Sequence, residues 1–102
     1  MIVEYIRYKN EASEVAAFLS AYQVAAHSLR ESLHCLSYEL SRCSDEPGTF
    51  VLRIVWDSAD GHMKGFRTSP AFKPFVAAVR PFIKNIQEMR HYESTDLTWT
   101  RP

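Results

Sequence analysis

The chain opens on a two-residue alternation. Ile2, Glu4, Ile6 and Tyr8 fall on one side of an extended segment and Val3, Tyr5 and Arg7 on the other, which predicts a strand over residues 2–9. The period then lengthens. Asn10-Glu11-Ala12-Ser13 marks a helix start, and Val15, Phe18, Leu19, Tyr22, Ala26, Leu29 and Leu33 recur at the spacing of an apolar helical stripe. A helix is expected over about residues 11–31. Alternation returns at 34–42, with His34, Leu36, Tyr38 and Leu40 against Cys35, Ser37, Glu39 and Ser41. The turn cluster from Cys43 to Gly48 follows, then Phe50, Leu52, Ile54 and Trp56 opposite Val51, Arg53 and Val55. Two alternating runs around a short turn predict a hairpin.

The second half of the chain repeats the change of period. Ser58 is placed to cap a short helix reaching about Phe66. Ser69-Pro70 is a second start signal, with serine at the cap and proline in the first turn. Phe72, Phe75, Val76 and Val79 give that helix an apolar face, and Pro81 is expected to end or kink it. Residues 86–93 predict a last strand, with Ile86, Glu88, Arg90 and Tyr92 opposite Gln87, Met89 and His91.

The element order is therefore β-α-β-β-α-β. That is the ferredoxin-like α+β arrangement, a four-stranded antiparallel sheet with its helices on one face. A single domain over residues 1–102 is expected. The strands carry apolar residues on both faces, Val51 and Val55 as well as Phe50, Leu52 and Ile54. A second sheet on the open face would bury the surplus, so a homodimer joined sheet to sheet is expected. The tail, residues 94–102, is polar apart from Leu97 and Trp99. A tryptophan is costly to leave in water, so the tail is expected to dock, with the partner subunit as one place for it.

Composition narrows the function classes. Lys and Arg together number 12, as do Asp and Glu, so there is no net charge to attract nucleic acid or an anionic membrane. No apolar run approaches the roughly 20 residues of a membrane span, and the N-terminus enters a strand pattern directly. The expectation is a cytoplasmic protein without a signal peptide. Cys35 and Cys43 lie too far apart on one strand to bridge, about 26 Å at roughly 3.3 Å per residue. Two free thiols are expected.

Candidate chemistry concentrates between Trp56 and Tyr92. His62, on a short helix near a strand end, suits a hydrogen-bond donor or proton relay at a pocket mouth, because imidazole titrates near neutral pH. A locally packed histidine is the plainer alternative. His91 alternates with Arg90 and shares the parity of Met89, which points it toward the helices as a buried, hydrogen-bonded group or a second base. Trp56 can wall a pocket and offer its indole N–H, or simply fill the core. Phe66, Phe72, Phe75 and Phe82 have the spacing of a helix face and serve either role. Tyr38 and Tyr92 can present phenol groups to an aromatic substrate or pack on the sheet. No glycine-rich phosphate loop, nucleophile elbow or helical pair of metal-ligand histidines is present, so no nucleotide cofactor or metal is expected.

Three phrases carry a resemblance: Trp56, Ser58 and His62; Phe66, Ser69 and Phe72; and Glu88, Met89 and Tyr92. With the hairpin phrase Cys35 to Leu40, they resemble the antibiotic biosynthesis monooxygenase domain family over nearly the whole chain. The resemblance implies a dimeric α+β barrel. It also implies a cofactor-independent monooxygenase that oxidises a quinol-like or polycyclic phenolic substrate with molecular oxygen. His62 and His91 would then be the catalytic candidates, and Trp56, Tyr38, Phe66, Phe75 and Tyr92 the substrate-binding ones. A haem-degrading branch of the family carries tryptophan three residues before the serine and histidine seven after it. Phe66 and Val76 stand there instead, which argues against that branch. The alternative is a non-enzymatic dimeric barrel that binds a small hydrophobic ligand. The two differ in whether an acid–base group faces the cavity.

Overall fold

The computed structural model describes residues 1–102, the side chain of Met63 excepted. Strands β1 (Ile2–Lys9), β2 (Cys35–Arg42), β3 (Thr49–Trp56) and β4 (Ile86–Glu93) form one antiparallel sheet in the order β2-β3-β1-β4. Helix α1 (Val15–Glu31) and the shorter α2 (Phe72–Val79) pack together and cover one face. The expected ferredoxin-like α+β fold is the one observed.

From Glu4 onward the first strand follows its alternation. Ile6 and Tyr8 are buried under the helices, and Glu4 is buried with them at 2 % exposure. Phe50, Leu52, Ile54 and Trp56 of β3 lie on the same side, next to Phe18, Tyr22 and Leu29 of α1. Tyr8, Phe18, Tyr22 and Phe50 form a run of ring contacts with centroids 4.9–5.7 Å apart. The Tyr8 and Tyr22 hydroxyls share a hydrogen bond of 2.5 Å. Burial pushes both phenols upward, so each stays protonated.

The structure departs from the pattern at several places. Helix α1 is preceded by a tight turn, Ala12–Glu14, in which Glu11 and Glu14 cap one another reciprocally. In β2 the pairing with β3 slips at Leu36, so Cys35 is paired with Trp56 and packs on the core while Leu36 is turned outward, 53 % exposed. Simple alternation had grouped Leu36 with Tyr38 and Leu40. In β4 the register slips at Gln87, which places Ile86 beside Tyr8 and leaves Met89 and His91 on the helix side. Ser69-Pro70 does not cap α2, which begins at Phe72. The Ser69 hydroxyl donates instead to the Phe66 carbonyl at 2.7 Å, closing the turn before the helix. Pro81 sits in a 3₁₀ segment, Arg80–Asn85, into which α2 tightens at its end. The missing N–H of proline explains the change. Leu97 and Trp99 are 94 % and 70 % exposed, so the tail does not dock within its own chain.

Candidate functional site

Glu4 is the centre of the site. It lies opposite His91 across the β1–β4 ladder and opposite Ile54 across the β1–β3 ladder. Side chains directly opposite on one face stand about 5 Å apart, and diagonal neighbours remain within reach of large rings. His91 and Trp56, two residues beyond Ile54, therefore meet the Glu4 carboxylate from either side. The Trp56 indole N–H donates to Glu4 Oε1 at 3.1 Å, and His91 Nε2 lies 3.4 Å from Glu4 Oε2.

The chain after Trp56 delivers the third polar group. The expected helix to Phe66 is a π-helical turn, Gly61–Phe66, opened by the Ser58 hydroxyl, which accepts the Gly61 N–H at 2.8 Å. Such wide turns recur where a side chain must be re-aimed at a functional site. His62 is swung over the Trp56 indole, ring centroids 4.6 Å apart, and against His91 at 4.8 Å. Its Nε2 is 3.8 Å from Glu4 Oε2. The turn is held from outside by His34, whose Nδ1 pairs with Asp57 Oδ2 at 2.9 Å. A methyl group added to Gly65 would overlap the His34 ring, and one added to Gly61 would overlap the Asp57 carboxylate. Both glycines are there to let these side chains approach the backbone.

Glu4, Trp56 and His62 stand at the polar end of a pocket of about 220 Å³ between the sheet and α2. Phe66, Phe75, Val76, Val79 and Met89 are among its apolar lining, and Arg67 borders it. Burial raises the Glu4 carboxyl above the usual carboxylate range, opposed by the Trp56 hydrogen bond and by His91 and Arg67. Burial also pushes the His62 imidazole down to about 4, aided by the positive field of His91 and Arg67. His62 is thus neutral near pH 7. It is 5 % exposed, and neither ring nitrogen has a hydrogen-bond partner among the described residues. The arrangement can accept a proton or a ligand oxygen at one end and hold a ring at the other.

The sequence candidates divide. His62, His91, Trp56, Phe66 and Phe75 come together here. Tyr38 does not. It lines a wider, open groove of about 500 Å³ against α1 and accepts a hydrogen bond from Arg30 Nε at 2.7 Å. Tyr92 lies on the open face of the sheet, edge-on to Tyr5 at 5.5 Å. Glu4 is the residue sequence reasoning passed over. Its signal was present, a carboxylate in the apolar row of Ile2, Ile6 and Tyr8. Arg67 had none.

Comparison with known proteins agrees with the fold. A structure of a Bordetella bronchiseptica protein, provisionally named an antibiotic biosynthesis monooxygenase, superposes with a TM-score of 0.78 at 23 % identity, over 92 % of this chain and 96 % of that one. SnoaB, a cofactor-independent oxygenase from Streptomyces nogalater solved in a mutant form, gives 0.75 at 19 % identity, over 98 % and 97 %. The uncharacterized protein YczJ of Bacillus subtilis is 24 % identical over 76 residues, 74 % of this chain and 80 % of that protein. The model of the antibiotic biosynthesis monooxygenase family matches residues 1–78, and the chain belongs to that family.

Proposed function

We propose that the protein is a monooxygenase that oxidises a phenolic ring held between α2 and the sheet, using molecular oxygen and no organic cofactor. The observation that carries this is His62, a buried neutral imidazole with free nitrogens at the polar end of an otherwise apolar pocket. A phenol hydroxyl donating to His62 moves toward phenolate, and the Glu4 carboxylate 3.8 Å away stabilises the imidazolium that forms. The anion of a quinol or an anthrone is electron-rich enough to pass an electron to oxygen directly. In the balanced reaction one oxygen atom enters at a ring C–H and the substrate leaves as the quinone. The second oxygen atom leaves as water, and the substrate supplies all four electrons. The chain contributes position, proton acceptance and exclusion of water.

The pocket is smaller than the roughly 300–1,000 Å³ of common ligand sites. That favours a quinol of one or two rings over a larger polycycle. The direct experiment is oxygen uptake with a panel of hydroquinones, naphthols and anthrones, measured in the presence of chelator. Turnover above the uncatalysed rate, largest for the smaller rings, is expected. Tight binding of such rings without oxygen uptake would replace this reading with the non-enzymatic hydrophobic-ligand barrel.

The same reading includes a homodimer joined through the open sheet face. Val3 and Val55 are already nearly buried there, while Tyr92 remains 45 % exposed and the Tyr5–Arg53 pair stands beside it. A partner sheet would cover them and close the barrel. A monomer mass at micromolar concentration would overturn it. No helix of the described residues is long and apolar enough to cross a membrane.

A further inference from the structure

We infer that Glu4, His62 and His91 form a binding site for a first-row divalent transition cation, with three protein ligands and an open position facing the apolar pocket. The three side chains each offer one ligand atom, and no two of these atoms are farther apart than 4.8 Å. Glu4 Oε2 is 3.4 Å from His91 Nε2 and 3.8 Å from His62 Nε2. Zinc bonds to imidazole nitrogen and carboxylate oxygen run about 2.0–2.2 Å, so ligands on a tetrahedral ion stand about 3.4 Å apart. Two of the contacts are near that spacing. Rotation of the His91 ring, which is 37 % exposed on an edge strand, closes the set.

The donor set is specific in kind. Two imidazoles and one carboxylate are the ligands of several catalytic zinc centres and of the facial triad that holds non-haem iron. Calcium or magnesium would want more oxygen. The carboxylate is prepared for one bond only. Glu4 Oε1 accepts the Trp56 indole N–H, which fixes the group and leaves Oε2 for the ion.

The second observation is His62 itself. A buried imidazole whose two nitrogens lack partners among the described residues bears a desolvation cost that a ligand would reduce. It sits beside a buried carboxylate whose charge is also costly to isolate. One divalent ion between them answers both. The fourth position then opens toward Phe66, Phe75 and Val76, where a phenol oxygen or water can reach it. Sequence spacing concealed this set, because its members come from β1, the π-helical turn and β4.

The proposal does not rest on the oxygen chemistry above, and it excludes the proton acceptance assigned there to His62, because an ion on Nε2 takes the lone pair that would receive the phenol proton. Cation binding is measured without substrate, and oxygen uptake with chelator present, so either can fail alone. Chelator-stripped protein is titrated with Co²⁺, followed by its visible ligand-field absorption, and with Zn²⁺ by calorimetry. One ion per chain is expected, with a cobalt spectrum of low coordination number. Glu4→Gln and His91→Ala each should weaken Zn²⁺ binding by about 100-fold or more, above the 10–100-fold cost of losing an outer-shell partner alone. His91 is half-exposed, so His91→Ala keeps the test valid if Glu4→Gln fails to fold, as circular dichroism will show. His27→Ala, which removes an exposed pair with Glu31, should change nothing. Absence of saturable binding, or binding that keeps its affinity in His91→Ala, overturns the proposal.

Discussion

Two buried polar pairs hang from the same face of β1, four residues apart. Tyr8 meets Tyr22, and the two hydroxyls satisfy one another inside a ring cluster. Glu4 meets His62 and His91, and there the ring nitrogens of His62 remain unpaired beside an open pocket. Burial and strand geometry are alike. The first pair is complete within the chain and holds α1 to the sheet. The second waits for something from outside. A buried polar group that is fully partnered argues for stability, and one that is not argues for a ligand.

The sharpest way to break this contrast is at Trp56, which touches both functions of the pocket wall. Trp56→Ala should cost about 3–5 kcal/mol in chemical denaturation, as for other large core rings, and also strip Glu4 of its donor. If stability were unchanged, the indole would not be the strut described here. Next comes His62→Phe. Loss of an acid–base group typically costs about 10²–10⁴-fold in rate, and oxygen uptake should fall by that much. Stability should hold or rise, because an unpartnered imidazole is replaced by an apolar ring. A large loss of stability would move His62 into the class of Tyr22.

Tyr22→Phe makes the reciprocal test. It strands the Tyr8 hydroxyl in the core and should cost about 1–3 kcal/mol, with oxygen uptake preserved. Gly65→Ala should cost about the same by overpacking against His34, roughly 1–3 kcal/mol, and the double variant with His34→Ala should recover most of it. Failure to recover would mean that the turn carrying His62 is not shaped by that ring.

The smallest effect expected is a dependence on pH. The hydrogen bond from His34 holds the Asp57 carboxyl below its usual range. Such a group adds stability above the unfolded carboxyl value of about 4 and loses it as pH falls through the lower folded value. The melting temperatures of the protein and of Asp57→Asn should therefore differ at pH 7 and converge in acid. A gap that widened in acid would reverse the assignment.

Legibility in the sequence followed regularity. Ile2, Ile6, Tyr8 and the Phe50–Trp56 row announced a sheet with one covered face, because period-two patterning is a direct record of burial. The same rule mistook Leu36, since one inserted residue turns every neighbour over, and nothing in a single chain marks the insertion. His62 was visible as a candidate, but its π-helical turn was not. Its shape depends on His34 pressing against Gly61 and Gly65 from thirty residues away, a tertiary contact with no local signature. Tyr38 and Tyr92 are candidates for the pocket because their phenol groups suit an aromatic substrate. The sheet sends one to the α1 groove and the other through to the open face. Glu4 was legible in its row and went unread, since a lone carboxylate among apolar neighbours passes for a solvated edge until its cross-strand partners are known.

The two register slips have a consequence of their own. They fall on β2 and β4, the outer strands of the sheet. A clean outer strand offers a row of backbone donors and acceptors on which another chain can grow, the first step toward fibrous aggregates. The slips at Leu36 and Gln87 interrupt those rows, and Arg90 and Glu88 add charge along one of them. Growth by endless edge-to-edge addition is thus blocked by the same irregularities that set the register of the outer strands.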